Sequence, residues 1–310
     1  MRCQWQSIRT FRFMCKEKPK YEDGWGMAVM NKHRIQRNAN GRMAECTLNR
    51  PGYVAIKKDG DVFYGGSQMW YEKNGRFSHS DIIRSYGCGT IAAGDLFLYL
   101  ALQDTGRQNR ITRIAMKDGC SIMQEHYISY LECIDSQYTK TKRWIGVTGP
   151  KLASAINRYF RFAGIEYEAS WAWSLTSSLM LERIEEMIKA DIPVILSVGP
   201  NTPILWGDAG IPFYLPVNTE NEGHVERGYV KSANSNIHGH YVIVTGVIPE
   251  PAAGRIILCI SSWGRKYYMD YDEYRKYVAG PGGKWTSSLV YVRKKERIRD
   301  LSEGLEPGSC

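Results

Sequence analysis

The sequence predicts an α+β fold organised around one buried helix, and three observations lead there. The run Cys88–Leu102 is apolar almost all round, with Asp95 its one charge. It is too long for an ordinary strand, so it reads as a helix enclosed by a core. Further segments keep helical spacing, and the last third alternates short β-branched runs with turn residues. The chain has 310 residues, 43% of them apolar, enough for one large domain or two ordinary ones.

The elements follow in order. Residues 1–75 read as a basic, β-rich N-terminal extension, in which Tyr53–Tyr64 places apolar residues on both sides of the hairpin signal Asp59-Gly60. The polar stretch Arg76–Ser85 reads as a loop. It leads into the buried helix, with Gly89 and Thr90 suited to the first turn and Gly106 just past the end. Helices are expected over Gly119–Cys133, Pro150–Gly164 (Leu152, Ala155, Ile156, Tyr159, Phe160) and Leu179–Ala190. Ile192–Val198 reads as a buried strand. Residues 199–237 read as one long loop, rich in Gly, Pro and Asn, of the kind that forms lids or binding walls. Strands are expected at His240–Gly246, Arg255–Ile260 and Ser288–Val292, with a short helix over Tyr271–Val278. The expected domain therefore spans 76–293, and 294–310 reads as a charged tail.

Composition narrows the classes. No apolar run approaches the roughly 18–20 residues that cross a bilayer, and the first ten residues lack the apolar core of a secretory leader. Eight cysteines without a Cys-x-x-Cys pair do not make a disulfide framework, so reduced thiols and a cytoplasmic setting are expected. The formal charge is +9, and residues 1–60 hold 13 Lys/Arg against 5 Asp/Glu. That bias fits a solvated arm or a region that meets an acidic partner. Phe11 and Phe13 flank Arg12, but no RNA-reading motif surrounds them, so neither nucleic acid nor membrane is an expected partner.

The chemistry centres on Cys88. It stands between Gly87 and Gly89 where a loop enters the buried helix. Backbone N–H groups and the helix dipole favour a thiolate there, and the glycines admit a substrate backbone. His240 opens an apolar strand, so the scaffold can hold its ring near the surface as a base. Ser261-Ser-Trp-Gly264, about 20 residues on, can supply an acceptor that fixes the imidazole tautomer.

At these residues the chain resembles the papain-like cysteine peptidase clan. It is most similar to bacterial peptidases that remove double-glycine leaders from bacteriocins. The resemblance rests on Cys88-Gly89 at a helix start, His240-Tyr-Val-Ile-Val-Thr-Gly246 and Ser261-Ser-Trp-Gly-Arg-Lys-Tyr-Tyr-Met-Asp270, in that order, and covers roughly residues 86–292. It implies a papain-like fold, with the central helix against an antiparallel sheet. It also implies a thiol protease cleaving a peptide or amide bond of a peptide or protein substrate, without a cofactor or metal.

Carried over residue by residue, Cys88 is the nucleophile and His240 the base and then the acid. Ser261 falls where the clan has Asn or Asp. Ile82 stands where the clan has the oxyanion Gln, leaving Gln68 or His79 as substitutes. Gly87, Gly89, Trp206 and Trp263 would line the cleft, with Phe213 in its wall. Asp95, buried, needs a partner.

Two other readings use the same residues. The Ser261 and Ile82 departures suit an inactive papain-like protein that binds a peptide or protein partner. His238-Gly-His240 with Cys88 could hold a metal.

Overall fold

A computed structural model describes residues 44–75, 78–117, 121–200, 209–221, 224–233 and 236–295. Over these residues the fold is mixed α+β with a large antiparallel sheet. Its order is β5 (Tyr167–Ala172), β12 (Leu289–Lys294), β6 (Val194–Val198), β9 (His240–Glu250), β10 (Arg255–Ser262), β11 (Arg265–Asp270), β7 (Tyr214–Asn221) and β8 (His224–Lys231). The short β1 (Cys46–Thr47) continues the β6 edge of β9, pairing at Gly246 and Val247. A second sheet joins β3 (Asp61–Tyr64), β2 (Ala55–Lys58) and β4 (Ile122–Met123), the last pair parallel.

The helix expected at Cys88–Leu102 is α2, Cys88–Gln103, and every residue from Gly89 to Ala101 is buried. It follows α1 (His79–Tyr86) and precedes the short α3 (Thr112–Ala115). It packs between β9 and the helices α4 (Gln124–Ile134) and α5 (Gly149–Phe162). That enclosure is why its sequence shows no polar face. Phe97 stacks on Tyr159 with centroids 3.6 Å apart, and both side chains are buried. Helix α6 (Ser177–Lys189) starts at the Thr176 cap and α7 (Tyr271–Ala279) at Asp270, whose carboxylate accepts the N–H groups of Asp272 and Glu273.

Several expectations are corrected. Residues 76–85 are not a loop throughout: Ser78 caps α1, whose Ile83 is its one buried residue, so a mostly polar surface hid the helix. The 199–237 stretch contains the β7–β8 hairpin, masked in sequence by Pro216 and by exposed Val217 and Val230. Strand β11 adds an element outside those expected, and the helix expected at Gly119–Cys133 starts only at Gln124. The boundary at residue 75 does not divide the structure, because β1 and the β2–β3 hairpin pair with β9 and β4. The expected hairpin is present, with Asp59 and Gly60 at φ +50° and +87°. Residues 1–43 and 296–310 lie outside the described residues, and with them most of the basic arm and the tail. No single helix among the described residues is long and apolar enough to cross a membrane.

Phe97→Ala should cost about 3–5 kcal/mol of unfolding free energy in urea titration, because Tyr159 loses its stacking partner inside a closed core; a loss below about 1 kcal/mol would contradict this packing.

Candidate functional site

Cys88 is the first residue of α2, at an 84° bend from α1. Gly87 makes the bend: its N–H closes α1 on the Ile83 carbonyl, and its carbonyl accepts the first α2 bond, from Ile91. A Cβ there would lie 2.4 Å from the Ile83 oxygen, so no larger residue fits. No side chain caps the first turn of α2, which leaves the positive end of its dipole beside the cysteine.

The bend is clamped from below by Asp135. Its Oδ1 accepts from the Thr90 and Thr139 hydroxyls and the Thr141 N–H, and its Oδ2 meets His79 Nε2 at 2.9 Å. Burial raises its pKa, but these donors outweigh burial and hold the carboxyl below its ordinary value. His79 is thereby committed to the bend and does not line the site cavity.

His240 opens β9, opposite Val198 of β6. Its Nε2 lies 2.8 Å from Ser262 Oγ, not from Ser261. The sheet register explains the difference. Cys259 pairs with Gly246, but Ile260 pairs with Val244 and Ser261 with Ile243, so Thr245 is an extra residue in β9. This bulge puts Ser262 opposite Val242, on the face that His240 shares. Without it Ser261 would occupy that face. Ser261 instead donates to the Tyr64 carbonyl at 2.8 Å.

Trp263 and Gly264 form the two-residue β10–β11 turn, at φ +49° and +76°. A tryptophan is strained in that conformation. Here the turn lays its ring on the His240 imidazole, with centroids 4.5 Å apart and planes at 16°. Burial pushes the His240 pKa down to about 3, so the ring is neutral at ordinary pH.

Cys88, His240 and Gln68 line one cavity together with Asp95, Tyr241, Ser261, Ser262 and Trp263. Its volume is about 20 Å³, room for about one water. Gln68 comes from a 3₁₀ turn, Gln68–Trp70, far upstream of the cysteine. Its Nε2 donates to the Arg84 carbonyl, while Arg84 Nη1 donates to the Met69 and Tyr71 carbonyls, so the turn is locked onto α1.

The segment ahead of Gln68 joins the two halves of the site. Asp95 Oδ2 accepts the Gly66 N–H at 2.9 Å, and Gly66 carbonyl accepts the Gly264 N–H at 2.9 Å. The helix that carries Cys88 is thus tied through Gly66 to the turn that carries Trp263. Among the described residues no cation pairs with Asp95; the Tyr127 hydroxyl donates to its Oδ1 at 2.6 Å. Burial raises its pKa to about 7, less than it would without those two donors.

The remaining candidates divide. Gly87 and Gly89 flank the cysteine but serve packing: a Cβ on Gly89 would press on Val147 and Tyr241. Phe213 is buried, 5.8 Å from the Trp263 ring, so it supports that wall from behind. Trp206 lies outside the described residues. Among the described residues no three His, Cys, Asp or Glu side chains are grouped to hold a metal. Among the described residues, Cys46, Cys88, Cys133 and Cys259 are not in disulfides. Comparison with protein-family models, curated proteins and solved structures finds no significant match.

Asp95 also sets a pH dependence. Its folded pKa lies above the usual carboxylate value, so its stabilisation is full below about pH 3.8 and is lost as pH rises toward 7. Asp95→Asn does not titrate; its carbonyl oxygen can accept from the Gly66 N–H while its amide donates to the Tyr127 oxygen, reversing that bond. Urea unfolding should therefore show wild type losing about 4 kcal/mol relative to the variant between pH 4 and 8, and a difference independent of pH would contradict a buried, titrating carboxyl.

Proposed function

We propose that this protein is a papain-like cysteine peptidase or related amide hydrolase, acting through Cys88 and His240. The observation that carries the reading is that a helix-start cysteine, a strand-start histidine and an amide side chain line the same cavity. With Nε2–H donated to Ser262, His240 Nδ1 keeps the lone pair that takes the Cys88 proton. The sulfur then attacks the substrate carbonyl, and the Cys88 N–H and the Gln68 amide hold the oxyanion. His240 returns the proton to the leaving amine, the C–N bond breaks, and a thioester remains. A water deprotonated by the same nitrogen adds to the thioester, and the acid departs as Cys88 regains its proton.

Ser262 orients the ring as the clan's Asn or Asp does, without the charge an Asp would bring, and burial makes the imidazole resist protonation. The resting pair is therefore neutral, with the thiolate formed as substrate arrives. A second reading, a binding protein on the same scaffold, is favoured by the same two facts together with the small cavity.

Iodoacetamide and a peptide-like electrophile separate them. The peptidase reading expects peptide mapping to show an adduct at Cys88 that forms at least about tenfold more slowly in His240→Ala. Because the resting pair is neutral, the labelling rate should climb steadily from pH 6 to 9. A rate flat between pH 5 and 8 would indicate an ion pair and contradict the neutral ring. Labelling of Cys88 no faster than a model thiol would favour the binder.

A further inference from the structure

Beside Cys88 the surface carries a second built feature. Lys142 and Gly146 exchange both backbone hydrogen bonds, N to O at 3.1 Å and 2.7 Å, closing a tight tip of three residues. Trp144 sits at φ +70° in this tip, a strained position for a tryptophan. The strain does not serve burial. Trp144 is 49% exposed and Ile145 64% exposed, so the tip presents its two largest apolar side chains to solvent.

The tip is fixed to the site. The Trp144 ring lies 6.1 Å from that of Tyr86, two residues before Cys88. Gly146 passes so close to the Tyr86 carbonyl that a Cβ would sit 2.9 Å from it. The next residue, Val147, packs at Gly89 and accepts a hydrogen bond from Tyr241, a cavity residue.

Its charge is one-sided. Between Asp135 and Glu166 the chain holds six Lys or Arg and no acid. Arg143 lies over the Trp144 ring at 4.4 Å, and Lys151 reaches back to the Lys140 carbonyl at 2.8 Å. Partial burial lowers the Lys151 pKa, and Lys142, Arg158 and Lys140 push it further down, with the already saturated Asp135 the opposing charge. These cations sit close enough to repel one another, an arrangement an anionic partner relieves.

Resting on the peptidase reading, we propose that the Lys142–Gly146 tip is the substrate-docking lip, and that its occupant is a peptide carrying acidic residues next to one bulky apolar side chain. The apolar side chain packs on Trp144 and Ile145 while the acids meet Lys142 and Arg143, which delivers the neighbouring peptide bond to Cys88. One exposed indole beside an aliphatic side chain suits a peptide better than the run of stacking aromatics that single-stranded nucleic acid uses.

The test is fluorescence anisotropy with full-length Cys88→Ala protein, so that turnover is removed and only docking is read. The probes are a labelled peptide of glutamates and glycines around one phenylalanine, the same peptide with lysines, and a thymidine oligonucleotide. The glutamate peptide should bind and weaken with salt. It should lose about tenfold in affinity both in Lys142→Glu with Arg143→Glu and in Trp144→Ala with Ile145→Ala. If either double variant loses its thermal transition, Lys142→Gln with Arg143→Gln replaces it, with a several-fold loss expected. Equal binding of the two peptides, preference for the oligonucleotide, or affinity unchanged in the variants would overturn the lip. Failure of the peptidase reading is separately visible: the glutamate peptide would still bind at the tip while Cys88 of the wild type takes up no electrophile.

Discussion

A carboxylate buried inside an apolar helix is costly unless it is satisfied, and here its satisfaction builds the site. Asp95 answers its burial with two neutral donors, the Tyr127 hydroxyl and the Gly66 N–H. The second contact decides the geometry, because Gly66 is also bonded to Gly264 and is followed two residues later by Gln68. One short segment therefore fixes the cysteine helix, the amide and the tryptophan turn with respect to one another. The glycines permit it: a Cβ at Gly65 would fall 2.4 Å from Ser261 Oγ and one at Gly66 would overlap the Tyr127 hydroxyl.

Two further devices set the reactive groups. The α1–α2 bend depends on Gly87 above and Asp135 below, so Cys88 is held at a helix start by a network that commits His79. The β10–β11 turn stores strain at Trp263 and in return covers the His240 ring. Burial beneath that cover keeps the imidazole neutral and makes it a weaker base, which disfavours a standing ion pair with the thiol. The same neutrality is what the binder reading draws on.

Much of this could be read from the letters. Helix α2 was plain because fifteen consecutive positions lacked a polar face, and Cys88 and His240 stood at element boundaries where local sequence reports backbone exposure. Asp95 was recognisable as needing a partner, yet its partners are a backbone amide and a tyrosine distant in sequence. The Ser261 expectation shows the limit most clearly: a single extra residue in β9, at Thr245, changes which of two adjacent serines faces the histidine. No local pattern announces such a bulge. Helix α1 and the β7–β8 hairpin escaped because their exposed faces leave little apolar periodicity.

The account turns on His240 being a neutral ring that shares a cavity with the Cys88 thiol. The most direct measurement is ¹⁵N NMR of His240 imidazole, followed with pH in wild type and in Cys88→Ala. The ring is expected to stay neutral, with the proton on Nε2, down to about pH 4. Its Nδ1 resonance should shift when the sulfur is removed. A histidine that titrates near 6.5 and whose two nitrogens ignore the loss of Cys88 would contradict the site as described.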